Sequence, residues 1–290
     1  GGIGKCVAFS ALIPELRKKS EIQIHTPYID CFANNPDIKL VLEQTLPIQD
    51  KRIMASDNIF YCEPYKSNFQ FGKQHLIESY CEHHDVKFNK NLKPKLYTNH
   101  HEEAVKKWLK KVDYAKQSVE KYILIQFSGG QPKWNYGDNV QYTNINPNRN
   151  YPHFLAQQVI NYLREEYKDT TIIDCSLPNE PSYEDTIKCD LHWSQIHELL
   201  KGAEGFISID SCLQHFSASA EKHGVVIWGS TRWTQFGYSH NTNLHFHMGN
   251  KWDETKFIDS DPRNSMIEPK LVIDKYKKID KNRQVACATE

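Results

Sequence analysis

The chain has 290 residues, and its 36 lysine and arginine residues balance 36 aspartate and glutamate residues. A net charge of zero gives no overall field that would attract DNA or an anionic membrane, so any contact with nucleic acid must come from a local patch. The sequence has neither an apolar run of about 18 residues nor a signal-peptide pattern, so we expect a cytoplasmic protein with no transmembrane segment. The length suits two domains of ordinary size.

The cysteine and histidine residues do not show the sequence spacing that is typical of metal ligands. None of the eight cysteines forms a C-x-x-C pair, so we predict mostly reduced thiols rather than a disulfide framework or a zinc ribbon. Paired histidines occur at His83-His84 and at His100-His101, but no H-E-x-x-H sequence accompanies them. We therefore predict no metal site.

The first half of the chain alternates between predicted helices and predicted strands. A glycine-rich turn, GGIGK, leads into a helix whose apolar residues recur at helical spacing. Because such a turn usually follows a strand, we expect residues before Gly1 in the natural protein. Strands are predicted in EIQIHTPY, IKLVLEQ and NIFYCEPY, and helices in FGKQHLIESYCEHH and HHEEAVKKWLKKVDYAKQSVEK.

The pattern restarts after a predicted hinge near residues 113–121. Strands are predicted in KYILIQFSGG, TTIIDCS, GFISIDS and VVIWGST, and helices in YPHFLAQQVINYLREEY, WSQIHELLKGA and CLQHFSASAEKHG, the last closed by Gly224. The final stretch, PKLVIDKYKKIDKNRQ, is predicted as a strand or a helix. Since strands that alternate with helices indicate parallel sheets, we predict an α/β fold with two Rossmann-like domains, residues 1–117 and 118–290.

The opening turn has three interpretations. A P-loop requires G-x-x-x-x-G-K-[ST], with a hydroxyl after the lysine to bind magnesium, but Cys6 follows Lys5 here. A glycine-rich turn at a helix N-terminus also presents backbone N–H groups to an anion without any P-loop. A tight turn with no ligand explains the pattern equally well.

Two further segments have residues suited to phosphate. Ser128 and Gly129 follow a buried strand and allow close approach of a ligand to the backbone, and Arg149 lies just before a helix. Arg149 is also explained as a solvated surface charge.

The second of these segments is FISIDSCLQHFSASA. It runs from a strand straight into a helix, so Asp210, Ser211 and the amide of Cys212 would lie at the carboxyl end of a parallel strand, with His215 one turn further on. The structural alternative is a helix N-cap at Asp210 or Ser211 and a core histidine at His215.

Taken in order, these segments resemble the family-9 glycosyltransferases, the group that contains the ADP-heptose:lipopolysaccharide heptosyltransferases. The opening through IQIHTPYIDCFANNPDI resembles the family's glycine-rich loop, helix and second strand, and ILIQFSGG resembles the strand before its Pro-Gly-Ala-like turn. RNYPHF resembles the element K-x-W-P-x-x-x-F, with Arg149 in place of lysine. The most specific segment, GFISIDSCLQHFSASAEKHGVVIWGSTRWTQFGY, is close to D-[ST]-G-x-x-H-x-A-A followed by a strand and a G-x-T turn.

The resemblance implies a GT-B fold, in which two Rossmann-like domains face each other across a cleft, the C-terminal domain holds the donor and a C-terminal segment crosses back. It also implies an inverting, metal-independent transfer of a sugar from a nucleotide diphosphate, with ADP-heptose as the default donor and no cofactor. The implied acceptor is a hydroxyl, by default on the lipopolysaccharide core or another glycan. The residues that the resemblance assigns to the donor are Ser128, Gly129, Arg149, Glu180, Asp210, Ser211, Cys212 and His215.

Within that set, Ser128 and Arg149 would contact the donor phosphates, and Glu180 is the candidate for the ribose. The chain departs from the family at two of the matched positions. The family's first loop ends in Gly-Asp, whose carboxylate is taken as the base that deprotonates the acceptor, but Lys5 stands there. A protonated lysine cannot accept that proton, so Lys5 would instead bind the departing phosphate.

Asp30 and His25, near the end of the second strand, are substitute candidates for the base. The second departure is Cys212 in place of glycine, which narrows the space beside the diphosphate. Both departures are compatible with a different donor or acceptor.

Other functions stay open at this point. The acceptor could be a hydroxymethylated DNA base or a protein side chain, although the neutral charge disfavours DNA. A nucleotide-sugar-binding protein without transferase activity would explain the missing Gly-Asp carboxylate. A P-loop phosphotransferase would explain Gly4-Lys5 and would require magnesium.

Overall fold

The computed structural model describes residues 2–43, 67–116, 119–129, 131–133, 141–143, 149–180, 182–245 and 266–288. The chain divides into two compact units, Gly1–His100 and His101–Glu290. The division falls before the long helix that starts at Glu102, so this helix belongs to the second unit. Each unit is described below by itself.

The first unit combines helices with a parallel strand pair. Its helices are α1 (Ile3–Phe9), α2 (Ile13–Arg17), α3 (Ser67–Gln70) and α4 (Leu76–His83), with 3₁₀ turns at Ser10–Leu12 and Ile29–Cys31. Its strands are β1 (Gln23–Thr26) and β2 (Leu40–Glu43), which pair in parallel with Gln23 opposite Leu40. The predicted strand NIFYCEPY lies outside the described residues.

The helix after the opening turn is interrupted where the sequence places a proline. Pro14 lies in the first turn of α2 and has no N–H group, and its ring crowds the carbonyl one turn earlier. The preceding residues Ser10–Leu12 accordingly tighten into a 3₁₀ turn. The apolar side of this helix is fully buried at Val7 and Leu12, and the Phe9 ring meets the Tyr80 ring of α4 edge-on at 5.3 Å.

The second unit is a six-stranded sheet with helices. Its strands in this sheet are β3 (Tyr122–Gln126), β6 (Thr171–Asp174), β7 (Ile187–Lys188), β8 (Gly205–Ile209), β9 (Gly224–Trp228) and β10 (Thr242–His245), while β4 (Gln131–Lys133) and β5 (Gln141–Thr143) form a separate antiparallel pair. Its helices are α5 (Glu102–Lys116), α6 (His153–Glu166), α7 (Trp193–Gly202), α8 (Cys212–Ala220), α9 (Trp233–Phe236) and α10 (Pro269–Ala288), after a 3₁₀ turn at Asn99–His101.

The six strands are ordered β10-β9-β8-β3-β6-β7, and every neighbouring pair is parallel. The chain runs outward from β3 to β6 and β7, then crosses to β8 and runs outward through β9 and β10. This is the order of a dinucleotide-binding α/β sheet, with the topological switch point between β3 and β8. The strands β3, β8 and β9 are buried along their whole lengths, as expected for a parallel sheet covered on both faces.

The C-terminal helix α10 completes the core of the second unit. It packs on α6 and β9, and its Val272, Ile273 and Tyr276 are buried. Gly205 leaves room for this helix, since a Cβ at that position would come within 2.7 Å of the Tyr276 hydroxyl. The final stretch is therefore a helix, one of the two alternatives that its sequence left open.

The predicted strands of the second half are confirmed, but the predicted end of helix α8 is wrong. The helix ends at Ala220, and Glu221 adopts the left-handed conformation with φ 51°. Gly224 is instead the first residue of β9, where a Cβ would lie 2.3 Å from the Phe206 ring. Glycine is required there by the close approach of an aromatic ring and not by a helix cap.

Burial of His197 makes the stability of the second unit depend on pH. This α7 side chain is fully buried against the Phe216 ring at 5.7 Å, and burial, helped by Lys201, lowers its pKa from 6.5 to about 4. Between these values the unfolded chain binds the proton more strongly, so the free energy of unfolding falls as the pH drops. We expect a loss of about 2 kcal/mol between pH 8 and pH 5 from this group.

Urea denaturation of the wild type and of His197→Gln at several pH values checks this expectation. The variant changes stability at every pH through altered packing, but it should lose much of the slope between pH 7 and pH 5. Equal slopes for the two proteins would contradict the assignment.

Candidate functional site

The candidate site lies in the second unit, where β3 and β8 end. In an open parallel sheet, the loops that leave the switch point run in opposite directions and leave a crevice at the carboxyl ends of the strands. Ser128 and Gly129 follow β3 at this edge, and Asp210 and Ser211 follow β8. Because β3 and β8 are hydrogen-bonded neighbours, with Gln126 opposite Ser208, the sheet brings the two segments together.

The backbone after β3 is fixed by the residues that precede α6. The Tyr151 N–H group donates to the Phe127 carbonyl at 2.9 Å, and the Gly129 N–H group donates to Asn150 Oδ1 at 3.2 Å. Tyr151 is buried and its hydroxyl donates to the Ile267 carbonyl at 2.6 Å. These bonds hold the segment 149–152 against the end of the strand and so place Arg149 at the site.

Arg149 is held between the two loops by Asp210. Its NH2 group donates to the Asp210 carbonyl and lies 3.4 Å from the Asp210 carboxylate. The Thr231 hydroxyl, which follows β9, donates to the same carboxylate. Asp210 is almost fully buried whereas the Arg149 side chain is 30% exposed, so Arg149 is not the solvated surface charge of the alternative interpretation.

Gly129 and Ser211 are in close contact at the switch point. A Cβ at position 129 would come within 3.2 Å of the Ser211 hydroxyl oxygen, which is tighter than an ordinary van der Waals contact. Ser211 is the residue before α8, yet its side chain does not cap the helix. The structure therefore differs from the alternative in which this serine serves only as an N-cap.

Cys212 fills space beside the first amides of α8. Its thiol donates weakly to Gln126 Oε1 at 4.0 Å, and the Ser211 hydroxyl lies 3.9 Å from its sulfur. Burial raises the pKa of the Cys212 thiol above its ordinary value, against the effect of these hydrogen bonds. The side chain is therefore a neutral thiol at the position where the resembling family has glycine.

His215 is buried and makes a hydrogen bond that the sequence did not indicate. Its Nδ1 lies 3.0 Å from the hydroxyl of Tyr238, and the two rings meet edge-on at 5.6 Å. Burial, and next the charge of Asp210, raise the pKa of Tyr238 well above its ordinary value, so Tyr238 remains a neutral phenol. The Tyr238 hydroxyl therefore fixes the orientation of the His215 ring.

Glu180 lies in the turn after β6 and serves that turn. One of its carboxylate oxygens accepts a hydrogen bond from the Leu177 N–H group at 2.8 Å. The base of the same turn is held by Asp174, which is fully buried and accepts from the Ser176 N–H group at 2.9 Å and from Lys188 at 3.0 Å. Local hydrogen bonds therefore fix the position of Glu180.

The three candidate catalytic residues all lie in the first unit: Lys5 as a phosphate ligand, and Asp30 and His25 as the base. Lys5 is in the first turn of α1, which begins at Ile3, and Asp30 is in the 3₁₀ turn Ile29–Cys31 that packs against α1. His25 is in the middle of β1, next to Thr26, whose hydroxyl lies 3.8 Å from the Cys6 sulfur.

Adjacent residues of a strand point to opposite faces, so His25 points away from α1. The structure brings the elements of Lys5 and Asp30 together, and the strand residue that contacts α1 is Thr26, the neighbour of His25.

Among the described residues, no group of three or more His, Cys, Asp or Glu side chains is arranged to hold a metal ion. In the same part of the chain, no helix is both long and apolar enough to cross a membrane.

Comparison with known structures identifies the fold. A family-9 glycosyltransferase from Veillonella parvula superimposes with a TM-score of 0.68 over 97% of this chain and 95% of that protein, at 11% sequence identity. The fold is that of the family-9 glycosyltransferases. The predicted resemblance to this family, and the predicted GT-B-type α/β fold, are confirmed at the level of the fold.

Two further structures share this fold. The E. coli ADP-heptose LPS heptosyltransferase II matches with a TM-score of 0.64 over 96% of both chains, at 11% identity. The dodecameric, iron-containing heptosyltransferase TibC, solved with ADP-D-beta-D-heptose, matches with a TM-score of 0.61 over 97% of this chain and 74% of that one, at 14% identity. No family model and no curated protein matches the sequence.

Sequence reasoning missed three residues of the candidate site: Asn150, Thr231 and Tyr238. Asn150 stands next to the recognised Arg149, and Thr231 is the threonine of the G-x-T turn, so both had a signal in the quoted motifs. Tyr238 ends the most specific quoted segment but matches none of its motif positions, and its contact with His215 spans 23 residues and forms only when α8 and the segment after α9 pack together.

The buried carboxylate of Asp174 is expected to stabilise the turn that carries Glu180. Replacing Asp174 by alanine removes the acceptor for the Ser176 amide and hydroxyl and for Lys188. We expect the free energy of unfolding to fall by about 3 kcal/mol. Glu180→Ala, which removes one hydrogen bond of a partly exposed side chain, should cost about 1 kcal/mol or less.

Urea denaturation of both variants measures the difference. Equal losses for Asp174→Ala and Glu180→Ala would contradict the role of Asp174.

Proposed function

We propose that this protein is an enzyme, an inverting and metal-independent glycosyltransferase that moves a sugar from a nucleotide diphosphate to a hydroxyl. The donor binds in the second unit at the carboxyl ends of β3 and β8. An ADP-heptose-like sugar is the proposed donor, and a glycan hydroxyl such as that of the lipopolysaccharide core is the proposed acceptor. The proposal is supported by the shared fold and by the site geometry.

One observation carries the proposal: buried polar atoms at the switch point lack partners. Ser128 Oγ and Arg149 Nε are buried, and neither atom has a hydrogen-bond partner among the described residues. Buried polar atoms are nearly always satisfied, and an unsatisfied pair at one edge of a sheet needs a ligand or solvent partner. Phosphate oxygens suit both atoms, because each oxygen accepts hydrogen bonds from a hydroxyl and from a guanidinium group.

The remaining residues of the site suit a diphosphate as well. The N-terminus of α8 offers a positive dipole end, and Ser211 leaves its hydroxyl unused in capping. Asp210 and Thr231 do not need to touch the donor. The Thr231 hydroxyl donates to the Asp210 carboxylate, and the Asp210 carbonyl accepts from the Arg149 guanidinium group and so holds it in place. We propose that His215, which lies one turn into the same helix and is oriented by Tyr238, contacts the sugar or the leaving phosphate.

The transfer forms a bond between the acceptor oxygen and the anomeric carbon of the sugar, and it breaks the bond between that carbon and the diphosphate oxygen. The acceptor oxygen attacks the anomeric carbon from the face opposite the diphosphate, so the new bond inverts the configuration. Negative charge then develops on the leaving phosphate, where Arg149 stabilises it. The acceptor hydroxyl loses its proton to a base, for which Asp30 is the candidate in the first unit, and Lys5 binds phosphate charge.

A donor panel tests the central proposal. The purified chain is incubated with nucleotide sugars, with and without EDTA, while calorimetry follows binding and released nucleoside diphosphate is measured. We expect binding of one donor, release that EDTA does not change, and a loss of affinity of about tenfold to a hundredfold in Arg149→Ala.

Arg164→Ala is the matched control, because Arg164 donates to the carbonyls of Thr170 and Asp185, among residues that the site does not use. Failure of every donor to bind, or an equal effect of both arginine variants, would overturn the proposal.

Gly129 supplies a test of geometry rather than charge. A methyl group there would press on the Ser211 hydroxyl at 3.2 Å, which alters the wall of the crevice. Gly129→Ala should lower donor affinity by about tenfold or more while changing the free energy of unfolding by about 1 kcal/mol or less. Donor titration and urea denaturation of the same preparation separate the two effects, and unchanged affinity would place the donor elsewhere.

A second function is favoured by one observation, the lysine at the position of the family's carboxylate. A nucleotide-sugar-binding protein without transfer needs no base, and it predicts donor binding with no turnover under any acceptor. In the enzyme, Lys5→Gln should lower the turnover number more than it changes donor affinity. In a binding protein, no turnover exists to be lowered, so measuring both quantities on the wild type and on Lys5→Gln distinguishes the two functions.

The acceptor is tested by changing only the acceptor in the same assay. Glycan hydroxyls, hydroxymethylated DNA and protein side chains are offered in turn to the donor-bound protein. Product with a glycan alone supports the proposed acceptor class, and product with DNA or protein replaces it while leaving the donor site unchanged.

A further inference from the structure

We propose that Tyr238 is a positioning residue, which acts on the donor through His215 without touching it. The Tyr238 hydroxyl donates to His215 Nδ1 and so keeps the ring proton on Nε2, from which it is donated to an oxygen of the sugar or the diphosphate. This inference rests on the proposed function, because it takes His215 to contact a bound donor.

The two side chains meet where α8 packs against the segment between α9 and β10. The Tyr238 hydroxyl oxygen lies 3.0 Å from His215 Nδ1, and the two rings are inclined by 87° with their centroids 5.6 Å apart. His215 is 5% exposed and Tyr238 is 9% exposed. Because both side chains are buried, water competes little for this hydrogen bond.

The direction of the hydrogen bond follows from the chemistry of the two groups. A phenol both donates and accepts, whereas a neutral imidazole has one nitrogen of each kind. Burial, and next the charge of Asp210, raise the pKa of Tyr238 well above its ordinary value, so the phenol keeps its proton. An unprotonated imidazole nitrogen is a stronger acceptor than a phenol oxygen, so the phenol donates to Nδ1. The bond at one ring nitrogen then places the His215 proton on the other, Nε2.

Buried hydrogen bonds fix the main chain that carries Tyr238. The Tyr238 carbonyl accepts from the Asn241 N–H group and from Asn243 Nδ2, both at 3.1 Å. The Gln214 side chain of α8 is fully buried and donates from Nε2 to the Phe236 carbonyl at 3.1 Å. The main chain on both sides of Tyr238 is therefore held in place.

The Asn241 side chain ties the same segment to α8 and to β9. Its Nδ2 donates to the Ser217 hydroxyl at 3.0 Å, and its Oδ1 accepts from the Gly224 N–H group at 3.2 Å. Ser217 in turn donates to the Gln214 carbonyl at 2.7 Å. Any shift of the Tyr238 hydroxyl relative to α8 would break several of these buried hydrogen bonds, which is costly.

His215 lies on the helix that begins at the switch point. It is one turn along α8 from Ser211, the residue whose hydroxyl is closest to a Cβ built on Gly129. The two nitrogens of an imidazole ring point in different directions, so Nε2 points away from the Tyr238 hydroxyl. The proton on Nε2 is therefore available to a group other than Tyr238, within one turn of the proposed diphosphate position.

The test first determines the tautomer of His215 in the whole chain without a donor. Labelling with ¹⁵N-histidine gives two-bond ¹⁵N–¹H correlations, whose pattern shows which ring nitrogen carries the proton. The signals of His215 are those that disappear in His215→Gln. In the wild type we expect the proton on Nε2 and a hydrogen-bonded Nδ1. In Tyr238→Phe the Nδ1 signal should move toward that of a nitrogen without a hydrogen bond.

Tyr122→Phe is the matched control, because it also removes the hydroxyl of a buried tyrosine. The Tyr122 hydroxyl donates to the Leu199 carbonyl at 2.8 Å, and Tyr122 is the first residue of β3, at the other end of the strand from the site. This variant should leave the His215 signals unchanged. A proton on Nδ1 in the wild type, or unchanged His215 signals in Tyr238→Phe, would overturn the proposal. If Tyr238→Phe does not fold, the tautomer of the wild type decides.

Donor titration separates this proposal from the proposed function. With the donor that the panel selects, Tyr238→Phe should bind about threefold to tenfold more weakly than the wild type, and Tyr122→Phe should bind equally well. Equal affinity of Tyr238→Phe and the wild type would overturn the action of Tyr238 on the donor. Failure of the wild type to bind any donor would overturn the proposed function instead, and the spectra alone would then decide whether Tyr238 sets the tautomer.

Discussion

The reversal of strand order between β3 and β8 is the constraint on which the candidate site depends. Every strand in the sheet is parallel to its neighbours, so all of the connections must leave from the same edge. Only at the reversal do two successive connections lead to opposite sides, and the space between them stays open. Ser128, Gly129, Asp210 and Ser211 occupy that position because they are the residues that directly follow the two strands.

The strand order produces the crevice, and the hydrogen bonds around it hold polar side chains at its edge. Asn150 and Tyr151 tie the start of α6 to the end of β3, which brings Arg149 across to Asp210. Arg149 therefore lies at the same edge of the sheet as the N-terminus of α8, which the preceding serine does not cap. Glycine at position 129 avoids a close contact with the Ser211 hydroxyl at this edge.

Much of the second unit could be predicted because its signals are local. Continuous apolar runs such as YILIQ and GFISI identify buried strands, and the residues that follow such strands lie at the edge where a parallel sheet binds ligands. The strand β7 is two residues long, too short for periodicity to reveal. The contact of Tyr238 with His215 joins residues that meet only after the sheet is formed. The predicted end of α8 was wrong because glycine is a common residue at helix ends, whereas Gly224 is needed here for the close packing of the Phe206 ring.

The first unit was harder to predict in its chemistry than in its elements. The glycine-rich turn proved to be the start of a helix at Ile3, with Lys5 in its first turn. The packing of Cys6 was not visible in the sequence, where it was only the wrong residue for a P-loop. Its sulfur lies 3.8 Å from the Thr26 hydroxyl, a contact between residues 20 positions apart that no local pattern predicts.

Amide hydrogen exchange shows whether a nucleotide diphosphate sugar binds at the switch point of the second unit, as we propose. Exchange is measured with and without a saturating donor, on peptides that cover the whole chain. We expect slower exchange in the peptides that contain Ser128 and Gly129 and those that contain Ser211 to His215, with little change along β10. Protection confined to other segments, with these peptides unchanged, would contradict it.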